Sequence, residues 1–86
     1  MREKVRLRQY VMTAHAEEEM NDDGFTIFDI ERAILTGEIV ERQTDHQSTE
    51  CKYLIAGRSA HDELLTVVAK LGPTQKLVII TVYRTD

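Results

Sequence analysis

The second half of the chain constrains the fold most, because after Gly37 it predicts strands joined by connections too short to hold a helix. Residues 63–70 and 76–84 are apolar on both faces, as expected of strands in the middle of a covered sheet. A polar edge strand is predicted at 38–45 and a further strand at 50–57. The intervening turns, at 57–62 and 71–74, force neighbouring strands to run antiparallel.

The first half of the chain predicts helices. Residues 14–22 are good helix formers and are followed by a stop that ends in Gly24. Thr26 is placed to cap a second helix, which Asp29 supports three residues later in the manner of a capping box. Gly37 ends this helix.

Residues 4–8 are ambiguous. Val5 and Leu7 alternate with charged residues and so predict a strand, whereas a helical face through Leu7, Tyr10, Val11 and Ala14 is the alternative. The predicted fold class is α+β, with two N-terminal helices packed on one face of a curled antiparallel sheet.

Size and composition narrow the class of protein. A chain of 86 residues supports one domain, 1–86, for which homodimerisation is one way to bury more surface. Cys51 is the only cysteine and no apolar signal segment follows Met1, so we expect a cytoplasmic location. The longest apolar run, 77–80, is too short to cross a bilayer, so no membrane association is expected.

Charge is unevenly distributed along the chain, whose net charge is −4. Residues 2–8 are mostly basic, whereas residues 15–31 contain seven carboxylates and neither lysine nor arginine. The molecule is therefore expected to have an acidic face and a separate basic region. An acidic helix face is most often ordinary solvated surface, and a docking face for a basic partner is the functional alternative.

Four side chains form the candidate catalytic set: His15 at the start of the first helix, Arg58 in a turn, and Tyr83 and Arg84 at the end of the last strand. Metal-free RNA cleavage uses such groups, because an imidazole moves protons and a guanidinium grips phosphate. Tyr83 would stack on a base or donate a hydrogen bond. The alternative, which composition and spacing alone favour, is that His15 caps or packs the helix and Tyr83 ends a core strand.

A metal site is not expected. His15, His46, Cys51 and His61 lack the short paired spacing of structural zinc ligands. Cys51 lies in a predicted strand, where a small packing role is commoner than a nucleophilic one.

The order and spacing of several short motifs resemble those of a bacterial family, domain of unknown function 4258, from about residue 10 to residue 84. The motifs are Tyr10-Val11-Met12-Thr13-Ala14-His15-Ala16, Met20, Gly24, Asp29-Ile30, Ala33-Ile34, Gly37-Glu38-Ile39-Val40-Glu41, Tyr53-Leu54-Ile55-Ala56-Gly57 and Ile79-Ile80-Thr81-Val82-Tyr83. No activity is established for this family. Its expected topology is similar to that of RelE-type and BrnT-type toxins, which are small ribonucleases, and fold alone does not confer their function.

Two positions depart from the family pattern. Arginines usually follow the histidine at the fourth and eighth positions, where this chain has Glu19 and Asp23. Repulsion between a carboxylate and a phosphate about 5–6 Å apart weakens phosphate binding by roughly 3 kcal/mol at an effective dielectric constant of about 20. Glu19 is therefore expected to weaken RNA binding, although a carboxylate also raises the basicity of a neighbouring imidazole.

Two hypotheses of function follow. The first is a toxin-like, metal-independent ribonuclease without a cofactor, with RNA as substrate and a cognate antitoxin as partner. The second is a non-catalytic module, an inactive relative of such toxins, that binds a protein partner through its acidic helical face.

Overall fold

The computed structural model describes residues 1–44, 47, 50–72 and 74–85. The helices are α1 (Arg2–Arg6), α2 (Ala14–Asp22) and α3 (Ile27–Thr36). The strands are β1 (Tyr10–Met12), β2 (Glu38–Thr44), β3 (Cys51–Arg58), β4 (Leu64–Leu71) and β5 (Leu77–Arg84). The predicted α+β class is confirmed. Asp45, at the end of the predicted edge strand, and His46 lie outside the described residues.

The five strands form one sheet in the order β1-β5-β4-β3-β2. The four strands from β2 to β5 are antiparallel neighbours, as their short connections predicted. The sheet is nevertheless mixed, because β1 joins the outer edge of β5 in a parallel register that pairs Tyr10 with Leu77 and Met12 with Ile79. The expectation of a wholly antiparallel sheet is therefore wrong at this one pair.

The N-terminal segment differs from the strand predicted at 4–8. Residues Arg2–Arg6 form a short helix, which makes three helices among the described residues instead of the two expected. Val5 is buried in the core, whereas Leu7 is 56% exposed. Only one of the two alternating apolar residues therefore packs against the rest of the domain. Arg8 then adopts a positive φ of 58°, and the chain turns into the short strand β1.

Helix α3 begins with the capping box that the sequence predicts. The Thr26 hydroxyl accepts a hydrogen bond from the Asp29 backbone N–H, and the Asp29 carboxylate accepts one from the Thr26 backbone N–H at 2.8 Å. Ile30, Ala33 and Ile34 then form the buried stripe.

Helix α3 lies very close to the sheet at two glycines. A Cβ atom at Gly57 would be 2.3 Å from the Ala33 carbonyl oxygen, and one at Gly37, the C-cap of α3, would be 2.4 Å from the Ala56 carbonyl oxygen of β3. Only a residue without a side chain allows this approach. The glycines therefore set how near α3 can lie to β3.

All three helices contribute to one core on a single face of the sheet. The inward strand residues include Ile55, Leu65, Val67, Ile79 and Val82, each at most 2% exposed. The residues that alternate with these along each strand point to the opposite side of the sheet, which we call the open face. Two rows of paired residues cross this face from β5 to β2. One row is Tyr83, Thr66, Ala56 and Glu38, and the other is Thr81, Val68, Leu54 and Glu41. In the part of the chain that the structure describes, no helix is both long and apolar enough to span a membrane.

Candidate functional site

His15 lies in the first turn of α2, just after the N-cap residue Thr13. The Thr13 hydroxyl accepts a hydrogen bond from the Ala16 backbone N–H at 3.1 Å, and the Thr13 backbone N–H donates to the Ile79 carbonyl. The start of α2 is thus held against β5. The imidazole itself is 69% exposed, with Nε2 3.2 Å from Oε1 of Glu19. His15 is therefore accessible and has a carboxylate as its neighbour.

Helix α2 continues along the edge of β5 where β1 ends. Oε1 of Glu19 accepts a hydrogen bond from the Val82 backbone N–H at 3.3 Å, and Oδ2 of Asp23 accepts one from the Arg84 backbone N–H at 3.2 Å. Backbone N–H groups at a strand edge need an acceptor from water or protein. Glu19 and Asp23 provide it.

Arg84 is engaged by acidic and aromatic neighbours. Its guanidinium pairs with the Glu63 carboxylate and donates to the Asp23 carbonyl oxygen at 2.8 Å. Its Cζ atom lies 5.1 Å from the centroid of the Phe25 ring, within the range of a cation–π contact. These contacts occupy the guanidinium that the sequence suggested for phosphate binding.

Arg58, at the end of β3, is also paired. Its Nη1 donates to the Asp62 carbonyl oxygen at 3.0 Å and lies 3.5 Å from the Asp62 carboxylate. Arg58 and Arg84 line a common shallow cleft of about 290 Å³ together with Asp62 and Glu63. Each cation in this cleft therefore has a carboxylate beside it.

Tyr83 lies on the open face of the sheet, opposite Thr66 of β4, and is 39% exposed. Arg84, the next residue along β5, points to the other face. The cleft that holds Arg58 and Arg84 is lined by neither His15 nor Tyr83. The structure thus brings the two arginines together but distributes the four candidate residues over three places.

Asp29 has a second role that sequence reasoning missed. Besides capping α3, its Oδ1 accepts a hydrogen bond from the Ala60 backbone N–H at 2.9 Å, which ties α3 to the turn between β3 and β4. Burial alone would raise the pKa of Asp29, but hydrogen bonds from Thr26 and Ala60 outweigh it and lower the pKa. Because Ala60 lies 31 residues away, no local pattern could reveal this contact.

Cys51 lies in β3, half-buried, with Nη2 of Arg42 3.7 Å from its sulfur. The hydrogen bond from Arg42 lowers the pKa of the thiol. Within the described residues, no three histidine, cysteine, aspartate or glutamate side chains are grouped as metal ligands.

Comparisons with known proteins give one match. The model of a family described as "Domain of unknown function (DUF4258)" matches residues 12–84, which is most of the chain. Neither the comparison with curated proteins nor that with solved structures found a match.

Proposed function

This chain belongs to the DUF4258 family of domains of unknown function, and we propose that it acts by binding a basic protein partner. The observation that carries the proposal is the charge balance of the candidate site. Both of its arginines have carboxylate neighbours, whereas several carboxylates on α2 have no ion-pair partner among the described residues. The arrangement suits a cationic partner better than a polyanion.

The docking surface is the outer side of α2, which we call the acidic helix face and define by Glu17, Glu18 and Asp22. All three residues are exposed, and none forms an ion pair with another described residue. Unpaired carboxylates on one helix raise the rate of encounter with a positively charged segment. They also repel one another, so a cationic partner would relieve that repulsion.

RNA binding is disfavoured by the same charges. A phosphate in the cleft of Arg58 and Arg84 would have to compete with Asp62 and Glu63 for the guanidinium groups. A phosphate beside His15 would meet the Glu19 carboxylate, at a cost of roughly 3 kcal/mol if it came within 5–6 Å.

Affinity capture from the native host, quantified by mass spectrometry, tests the proposal. The bait is the wild-type protein, a Glu17→Gln/Glu18→Gln variant, or a Gln9→Lys/Thr74→Lys variant with the same change in net charge at exposed sites outside α2 and β2. We expect a basic protein that wild type and the Gln9→Lys/Thr74→Lys variant retain and the α2 variant loses. Equal retention by all three baits would contradict a role for the acidic helix face.

The second candidate is a metal-independent ribonuclease, favoured by the contact between His15 and Glu19. A carboxylate that orients an imidazole is a common support for proton transfer, and Glu19 is itself held by the Val82 N–H. In this reading His15 is the acid and base, Arg58 or Arg84 holds the phosphate and Tyr83 contacts the base. Incubation of mixed RNA with wild type and His15→Ala decides between the candidates, because cleavage lost in the variant would identify an enzyme.

A further inference from the structure

Strand β2 forms the edge of the sheet farthest from α2. It pairs with β3 on one side, and among the described residues no strand lies on its other side. All seven of its residues are exposed. An edge strand of this length offers a row of backbone donors and acceptors to another chain.

A bulge in β2 places two carboxylates on the same face. The register with β3 skips Val40, so that Glu38 pairs with Ala56 and Glu41 pairs with Leu54, both on the open face. Neither glutamate forms an ion pair with a described residue. The open-face side of this edge is therefore negative.

The helix-side face of the same edge carries an exposed apolar side chain, Ile39. Ile39 is 55% exposed and pairs with the buried Ile55. Beside it lies a cavity of about 610 Å³ between α1, the end of α3 and the start of β2, whose lining combines the apolar Met1 and Ile34 with the charged Arg2 and Glu3. An apolar side chain placed next to Ile39 would have room to enter this cavity.

We propose that β2 binds an extended segment of a partner protein as a sixth strand. Alternation along a strand puts one set of partner side chains on each face. Lysine or arginine side chains would face Glu38 and Glu41, while the apolar side chain between them would lie beside Ile39. Backbone hydrogen bonds supply affinity in this mode of recognition, and the two faces supply specificity.

A second copy of this chain fits the edge less well. Antiparallel pairing of β2 with another β2 would bring Glu38 and Glu41 of both copies onto one face of a single ladder. Like charges at neighbouring ladder positions destabilise a sheet. The charge pattern therefore favours a basic partner strand over self-association.

The probe for the test is a fluorescein-labelled decapeptide of alternating lysine and valine, with binding followed by fluorescence anisotropy. Two further peptides carry N-methyl groups on all lysine or on all valine backbone nitrogens. Because alternate N–H groups of a strand point to opposite edges, one methylated peptide should lose at least about tenfold in affinity and the other should bind as before. This arm uses only wild-type protein, so the folding of variants does not affect it.

Variants locate the binding surface. We expect Glu38→Lys/Glu41→Lys and Ile39→Ser each to weaken peptide binding by about tenfold. The matched controls, Gln9→Lys/Thr74→Lys at exposed sites outside β2 and α2 and Leu64→Ser on the open face, should bind like wild type. The proposal is overturned by absence of peptide binding, by equal binding of the two methylated peptides, or by an equal loss in either control. A dimer of the protein alone that Ile39→Ser abolishes would make a second copy the occupant and would also overturn it.

Discussion

Oε1 of Glu19 accepts a hydrogen bond from the backbone N–H of Val82 at 3.3 Å, which joins the middle of α2 to the edge of β5. Asp23 repeats the contact one turn later, at the Arg84 backbone N–H. An arginine at either position has no acceptor for these N–H groups. The two carboxylates thus satisfy backbone N–H groups at this edge of the sheet. The same negative charges would repel a phosphate near His15.

Replacement of Glu19 by alanine is expected to destabilise the fold by about 1 kcal/mol, because the Val82 N–H loses its acceptor. For a domain of this size the melting temperature should fall by about 4–8 °C in a thermal unfolding experiment. Glu19→Gln keeps an acceptor oxygen and should melt near wild type. Glu18→Ala, the exposed neighbour, controls for helix propensity, and an equal fall in that variant would contradict the assigned hydrogen bond.

The pH dependence of stability should report on Asp29. Its pKa is lower in the folded protein than its ordinary value of 3.8, so the carboxylate contributes stability above that value and loses it as the pH falls through the folded pKa. Asp29→Asn removes this charge and weakens the cap of α3, at a cost of about 1–2 kcal/mol near neutral pH. Urea unfolding at a series of pH values below neutrality measures the free energy of unfolding of wild type and Asp29→Asn. The difference between the two free energies should become smaller as the pH falls. A difference that stays constant across the series would show that the charge of Asp29 does not matter.

A methyl group at Gly57 should be poorly tolerated. Its Cβ would lie 2.3 Å from the Ala33 carbonyl oxygen, so α3 must move away from the sheet, and we expect Gly57→Ala to lose about 3 kcal/mol. Gly72→Ala is the matched control, because the nearest atom of the described residues outside its chain neighbours would be a Glu50 side-chain carbon at 3.8 Å from its Cβ. Chemical denaturation of both variants measures the contrast. Similar unfolding midpoints for the two variants would contradict the close approach of α3.

Arg84→Ala should lower stability by about 1 kcal/mol, since it removes an ion pair, a hydrogen bond and a cation–π contact at a partly exposed site. Part of this loss should disappear at high salt, which screens the pair with Glu63. The control is Lys76→Ala, because Lys76 is exposed and pairs with no described carboxylate. If the two variants unfold alike at low salt, the contacts of Arg84 contribute nothing measurable.

Local signals in the sequence accounted for much of the fold. The capping box of Thr26 and Asp29 and the apolar stripe after it located α3, and the helix predicted at 14–22 has the bounds Ala14–Asp22. The four later strands lie within one residue of the predicted positions wherever their ends are described. Each of these elements carries its own periodicity, cap or turn, which is why sequence reasoning finds them.

The errors fall where distant residues decide the structure. The three residues of β1 are too few for a periodic pattern, and their parallel partner begins at Leu77, so the alternation at residues 4–8 predicts a strand where the structure has α1. The contacts that hold the candidate site were hidden for the same reason. Glu19 reaches Val82 across 63 residues and Asp23 reaches Arg84 across 61, and charge alone could not show that these carboxylates accept backbone hydrogen bonds.

The parallel pairing of β1 with β5 has a consequence for synthesis. Tyr10 and Met12 are translated 67 residues before their partners Leu77 and Ile79. Helix α2 also depends on β5, because the carboxylates of Glu19 and Asp23 accept hydrogen bonds from backbone N–H groups of that strand. A nascent chain stalled before residue 77 therefore has neither β1 paired with β5 nor α2 bonded to it, and this sheet is complete only after β5 has left the ribosome.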